Sequence, residues 1–165
     1  MALTSVEALW FLPFVLPVCL YITWTDLSRM KIPNKANIAL FGIFVIIGPL
    51  ALPTEAYLWR FAHAAIVLAI GFTANMAGVM GGGDAKFLAA AAPFIAYDDL
   101  GIVLVLLSVA MLAAVAAHRL ARHTPLKTLA PDWKSWDKNR RFPMGFPFGW
   151  SLCLYLALGV LYGAS

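Results

Sequence analysis

The chain has 165 residues, of which 62% are hydrophobic and 12% charged. Soluble domains average roughly 45–50% apolar and about 25% charged residues. That excess excludes disorder and an ordinary soluble domain, because a fold this small cannot hide so much apolar surface. What remains is a single domain over residues 1–165, a small polytopic membrane protein.

Apolar runs cover residues 6–25, 36–52, 57–80, 85–97, 100–117 and 142–162. A spanning helix takes about 17–25 residues. Five runs meet that and the fourth is short, so the expected fold is all-α with six transmembrane helices. No Lys or Arg precedes Arg29, and Glu7 stands where a secretion signal would carry positive charge, so the first run is expected to be a retained helix. The third run closes on Gly81-Gly82-Gly83. A polar, basic loop over 119–141, carrying Trp133 and Trp136, separates the last two runs and is expected to lie on the lipids of the inner leaflet.

The 12 basic residues outnumber the 8 acidic ones. In a membrane protein this reflects cytoplasmic loops and calls for no nucleic-acid partner. With the N-terminus outside, 11 of the 12 fall inside: Arg29, Lys31, Lys35, Lys86 and the seven of 119–141, leaving only Arg60 outside. Trp10 and Trp59 then fall near the outer interface, Trp24 and Trp150 near the inner one. The expected location is the inner (cytoplasmic) membrane. Cys19 and Cys153 sit inside apolar runs without a C-x-x-C, and read as buried small residues. His63, His118 and His123 are scattered, so neither a metal site nor another cofactor is expected.

Two carboxylates stand apart from the rest. Asp26 ends the first run and Asp84 begins the fourth, both on the cytoplasmic side. Asp84 lies 14 positions before Asp98, about 21 Å of helix. The hydrocarbon core is about 30 Å thick, so Asp84 is expected below the inner surface, in a protein-lined cavity. Asp26 falls near the inner boundary; tilt, local thinning or a submerged loop can reconcile the two depths. Three glycines allow positive φ and would let a substrate backbone pass close to Asp84. Gly-Gly-Gly-Asp is equally a loop followed by a helix N-cap, and Asp26 before Arg29 and Lys31 is an ordinary interfacial residue. Position on one side, at helix ends, favours the functional reading of the pair. Two close carboxylates share one proton. The ionised one can activate a water and the protonated one can polarise a carbonyl, which suffices for peptide hydrolysis.

Three stretches resemble the prepilin (type IV leader) peptidase family: Asp26-Leu-Ser-Arg-Met-Lys-Ile-Pro-Asn34, then Gly81-Gly82-Gly83-Asp84-Ala85-Lys86, which fits G-x-G-D, and Phe142-Pro-Met-Gly-Phe-Pro-Phe-Gly149. The resemblance implies an aspartic intramembrane-type endopeptidase with Asp26 and Asp84 as the catalytic pair. It implies supporting roles for Gly81, Gly82, Gly83, Lys86, Pro33 and Asn34. Family substrates are pilin-like precursors with a basic leader on the cytoplasmic side and an apolar helix, cut at their boundary; pilus assembly machinery is a further implied partner. Long members carry paired C-x-x-C motifs that accompany methylation of the new N-terminus. This sequence has none, so methyltransferase activity is expected to be absent. Its length is similar to that of the short peptidases of Flp-type (tight-adherence) pilus systems and of archaeal preflagellin peptidases.

Lys86 either holds the charged pair or snorkels to headgroups. Pro33 and Asn34 either shape the loop beside Asp26 or start a helix. Asn75 is expected to make an interhelical hydrogen bond, and Arg60 and His63 to be interface residues. Pro143, Gly145, Pro147 and Gly149 are expected to bend or unwind the start of the last helix. The rival function is a non-enzymatic transporter or assembly subunit with Asp26 and Asp84 on a proton or ion path. An ion path needs polar residues through the full membrane depth, whereas the outer half here is nearly all apolar.

Overall fold

The structure, a computed structural model, describes residues 1–137 and 142–164. Lys138, Arg140 and Arg141 of the expected basic loop lie outside the described residues. The chain is built from helices α1 (Ser5–Arg29), α2 (Asn34–Ala51), α3 (Thr54–Met76), α4 (Gly82–Ala91), α5 (Leu100–His123) and α6 (Gly145–Tyr162). Five helices, α1, α2, α3, α5 and α6, are long and apolar enough to cross a membrane.

Local chemistry sets the boundaries. Thr4 opens α1 by accepting the Glu7 N–H at 3.2 Å, while the Glu7 carboxylate accepts the Thr4 N–H at 3.0 Å, a capping box. Met30, at φ 55°, closes α1 by donating its N–H to the Asp26 carbonyl. α1 therefore runs three residues past Asp26, which sits inside its last turn.

α3 stops at Met76, short of the expected 80. Gly78 takes φ 72°, the Gly78 N–H bonds the Asn75 carbonyl and the Val79 N–H bonds that of Ala74. This is the left-handed C-terminal turn that glycine favours. Asn75 donates its side-chain N–H to the Met80 carbonyl at 2.8 Å, so it braces this turn instead of bridging two helices.

The fourth run differs most from expectation. α4 has 10 residues, about 15 Å, half of the ~30 Å core. Pro93 has no N–H to give to the Ala89 carbonyl, and the chain continues through two 3-10 turns at 92–94 and 97–99. These carry it back to the far end of the bundle. There the Asp99 carboxylate accepts the N–H groups of Ala2 (2.8 Å) and Leu3 (2.9 Å) and the Tyr155 hydroxyl (2.9 Å). Tyr155 in turn accepts the Ala96 N–H at 3.1 Å. Arg60, expected at the interface, is buried and donates to the Pro93 carbonyl at 3.1 Å. A buried charge needs such partners.

Next to this clamp, Phe11, Phe44 and Phe94 pack with ring centroids 5.0–6.1 Å apart. Tyr57 and Phe61 extend the cluster from α3. Cys19 and Cys153, both buried and free, meet where α1 packs on α6.

The expected loop over 119–141 begins later, because α5 continues to His123 and takes Arg119 and Arg122 into its last turns. Trp136 does not lie on lipid. It is buried, stacks on His118 at 4.9 Å and donates its Nε1–H to the Ala130 carbonyl at 2.7 Å. Trp133 stacks on Trp136 at 5.8 Å. The loop folds onto the helices because an indole gains more from stacking with a satisfied N–H than from exposure.

Candidate active site

The end of the bundle opposite the Asp99 clamp gathers the C-termini of α1, α3 and α5 and the N-termini of α2, α4 and α6. A cavity of about 460 Å³ opens there, and both Asp26 and Asp84 line it. They come from elements 58 positions apart in sequence, yet lie close enough for Asp26 to feel the charge of Asp84.

Asp26 is buried in the last turn of α1. The Gly145 N–H, the first of α6, donates to its Oδ2 at 2.6 Å, and the Phe146 N–H also bonds the carboxylate. The positive end of α6 is therefore aimed at this acid, an arrangement that suits an anion. Glycine leaves little spare room at 145. A Cβ there would lie 3.0 Å from Asp26 Oδ2, 3.1 Å from Asp26 Cβ and 3.1 Å from Ile32 Cδ1.

The Pro/Gly stretch does not unwind α6, which begins regularly at Gly145. Pro147 stands in its first turn, where a missing N–H costs no intrahelical bond.

Asp84 is half-buried in the first turn of α4, three residues after the N-cap Gly81. Its carboxylate reaches back to the Gly81 N–H, the reciprocal half of a capping box. It is thus not itself the N-cap.

The three glycines do not adopt positive φ; the left-handed glycine of the described chain is Gly78. Their smallness matters in other ways. A Cβ on Gly81 would meet Asp84 Oδ2 at 2.7 Å, and one on Gly83 would meet Ile32 Cβ at 3.4 Å. Gly82 faces the Asn75 amide, at 3.6 Å from such a Cβ.

Of the other expected residues, Pro33, Gly81 and Gly83 line the acid cavity. Arg29 and Lys31 also line it, so the acids share their cavity with two cations. Lys86 and Asn34 are not on its wall. They bond each other, Nζ to Oδ1 at 3.1 Å, at the rim of a separate groove between α2, α3 and α4. Sequence reasoning missed the carboxylate contact made by Gly145 and Phe146. Its signal, a glycine at 145 early in the last apolar run, is readable only once α6 is known to start there.

Residues 13–117 match the model of the type IV leader peptidase family. The chain belongs to that family. The matched stretch runs from within α1 to near the end of α5 and holds both aspartates, while α6 and its Gly145 lie beyond it. No curated protein and no solved structure matches the chain. Membership makes it a leader peptidase by family, and its five long apolar helices agree with a multi-pass membrane protein. Among the described residues, no group of three or more His, Cys, Asp or Glu side chains is placed to hold a metal ion.

Proposed function

We propose that the chain is an aspartic endopeptidase that removes the basic leader from pilin-like precursors at the cytoplasmic face of the inner membrane, with Asp26 and Asp84 as its catalytic pair. The observation that carries this is the single cavity into which α1 and α4 deliver both acids.

Two interacting carboxylates hold one proton between them over a range of pH. The ionised member takes a proton from a water as it attacks the scissile carbonyl carbon. The protonated member gives its proton to the carbonyl oxygen, and a tetrahedral diol forms. The acid that took the water's proton then gives it to the amide nitrogen while the other takes a proton from the diol; the C–N bond breaks, leaving a carboxyl group on the leader, a free amine on the mature chain and the pair again with one proton. General acid–base work of this kind contributes about 10²–10⁴-fold in rate. The α6 N-terminus keeps the Asp26 carboxylate in one orientation through this cycle.

The membrane frame follows from charge. Arg29, Lys31, Lys35, Lys86, Arg119 and Arg122 all fall at the end of the bundle that holds the acids. The positive-inside bias makes that end cytoplasmic and the N-terminus external. The chain then crosses six times, five times as a long helix and once as α4 with its 3-10 turns. A basic leader reaches this end from the cytoplasm, with its apolar helix already in the membrane. Cys19 and Cys153 are both buried and supply no C-x-x-C pair, so methyl transfer is not part of the proposal. A proton or ion path along Asp26 and Asp84 would have to pass the buried Phe11–Phe44–Phe94 cluster, which speaks against the transporter alternative.

The test is co-expression with a pilin-like precursor, followed by mass spectrometry of the product. Cleavage at the leader–helix boundary by the wild-type chain, and none by the Asp26→Asn/Asp84→Asn double variant, is expected. An unprocessed precursor with the wild-type chain, or equal processing by both, refutes the assignment.

A further inference from the structure

The groove that the Asn34–Lys86 pair borders has a volume of about 610 Å³. Its α2 wall runs from Asn34 through Asn37 to Phe41, seven positions and about 10 Å along the axis. Ala64 on α3 and Ala89 on α4 stand opposite. Small residues of this kind let another backbone come close at membrane depth.

The groove adjoins the acid cavity. Pro33 lines the cavity and Asn34 the groove; Asp84 lines the cavity and Lys86 the groove. A chain lying in the groove therefore passes from it directly to the two acids.

Asn37 tells what kind of chain that is. It is only 6% exposed, and neither its Nδ2 nor its Oδ1 has a hydrogen-bond partner among the described residues. A buried amide without partners is costly, and here it belongs to a residue lining a groove whose other polar residues, Asn34 and Lys86, bond each other. A lipid phosphate has only acceptors and would leave Oδ1 unmatched; an acyl tail answers neither atom. A peptide unit offers one donor and one acceptor. The start of a helix, moreover, carries four N–H groups with no intrahelical partner. The bond between a leader and an apolar helix lies at such a start.

Granted the peptidase activity proposed above, we infer that the α2–α3–α4 groove seats the first turns of the precursor's apolar segment, with the Asn37 amide, whose polar atoms lie beneath the groove wall, turning out to pair with a backbone unit there. The groove then fixes the cleavage position: the leader end is held at the acids because the apolar end is held between Asn37 and Phe41.

The test uses the full-length chain in lipid nanodiscs and a precursor peptide carrying the leader and the first turns of its apolar helix. Asn37→Leu keeps the side-chain size and removes both polar atoms. The expected result is a KM raised about tenfold, the size of a modest binding contact, with kcat changed far less and a melting temperature equal to or above that of the wild type. An amide that takes no part in binding would leave KM unchanged, whatever the melting temperature, and that result overturns the inference. Photo-crosslinking from position 38 supplies a second readout in a chain of unaltered core. An adduct with the apolar part of the precursor supports the groove; an adduct with phospholipid alone, in the presence of precursor, overturns it. Wild-type chain that cleaves precursor while Asn37→Leu keeps its KM defeats the groove and leaves the peptidase standing. Wild-type chain that cleaves nothing defeats both.

Discussion

Gly145→Ala adds one methyl group at the contact that fixes Asp26. The new Cβ would stand 3.0 Å from Asp26 Oδ2 and 3.1 Å from both Asp26 Cβ and Ile32 Cδ1. The Ile32 tip can rotate away, but Asp26 Cβ is carried by the α1 backbone and the Asp26 carboxylate is held at 2.6 Å by the residue that changes. Overpacking of this kind costs about 1–3 kcal/mol. Weakening a hydrogen bond to a charged group costs about 1.5–3 kcal/mol. The two costs are alternatives more than a sum, since moving α6 away relieves the first at the expense of the second. Either way the carboxylate shifts by several tenths of an ångström. A displacement near 1 Å in a catalytic group can cost about 10²-fold in rate, so a fall in kcat of about 10–10²-fold is expected. The assay is precursor cleavage by the purified variant, with KM and melting temperature measured in parallel. Gly42→Ala is the control: it lies inside α2, nothing stands within 4 Å of an added Cβ, and exchange of a helical glycine for alanine stabilises by about 0.5–1 kcal/mol. Wild-type kcat in Gly145→Ala would refute the positioning role given to the α6 N-terminus.

Three further outcomes follow. Activity against pH should be bell-shaped, because the pair works with one proton. Activity should decline once pH has risen far enough to remove that shared proton; a rate that keeps rising with pH contradicts a shared proton. Tyr155→Phe leaves the Ala96 N–H and one Asp99 oxygen without their hydroxyl partner; it should lower stability by about 1–3 kcal/mol in thermal unfolding, with kcat nearly unaffected because the clamp lies at the far end of the bundle. Gly78→Ala forces a side chain into the φ 72° turn and should cost about 1–2 kcal/mol, measured the same way.

The helices were readable in the sequence because membrane depth demands long apolar runs, and 62% hydrophobic content leaves few other arrangements. The convergence of Asp26 and Asp84 was readable too, since alternation of apolar runs puts the end of the first and the beginning of the fourth at one face. The interior of that face was hidden. The Gly145 hydrogen bond to Asp26 spans 119 positions, and no local pattern encodes a contact of that range. The glycine run misdirected attention: three glycines suggest positive φ, but a following acid at the third helical position lets them enter the first turn of α4, and the strained turn falls to Gly78. The shortness of α4 was visible, while its 3-10 continuation depended on Pro93 and on the burial of Asp99 against the N-terminal Ala2 and Leu3. Arg60 and Trp136 looked like interface residues because charge and indole usually are; each is buried because one backbone carbonyl, of Pro93 or Ala130, satisfies its N–H.

The most direct measurement compares cleavage of one precursor by the purified wild-type chain, Asp26→Asn, Asp84→Asn and the double variant. If the acids act as one unit, each single change removes about 10³-fold or more and the double variant is little worse than either, as groups of one catalytic unit behave. A single variant that retains the wild-type rate, or losses that multiply in the double variant, would show that the two carboxylates do not share the work.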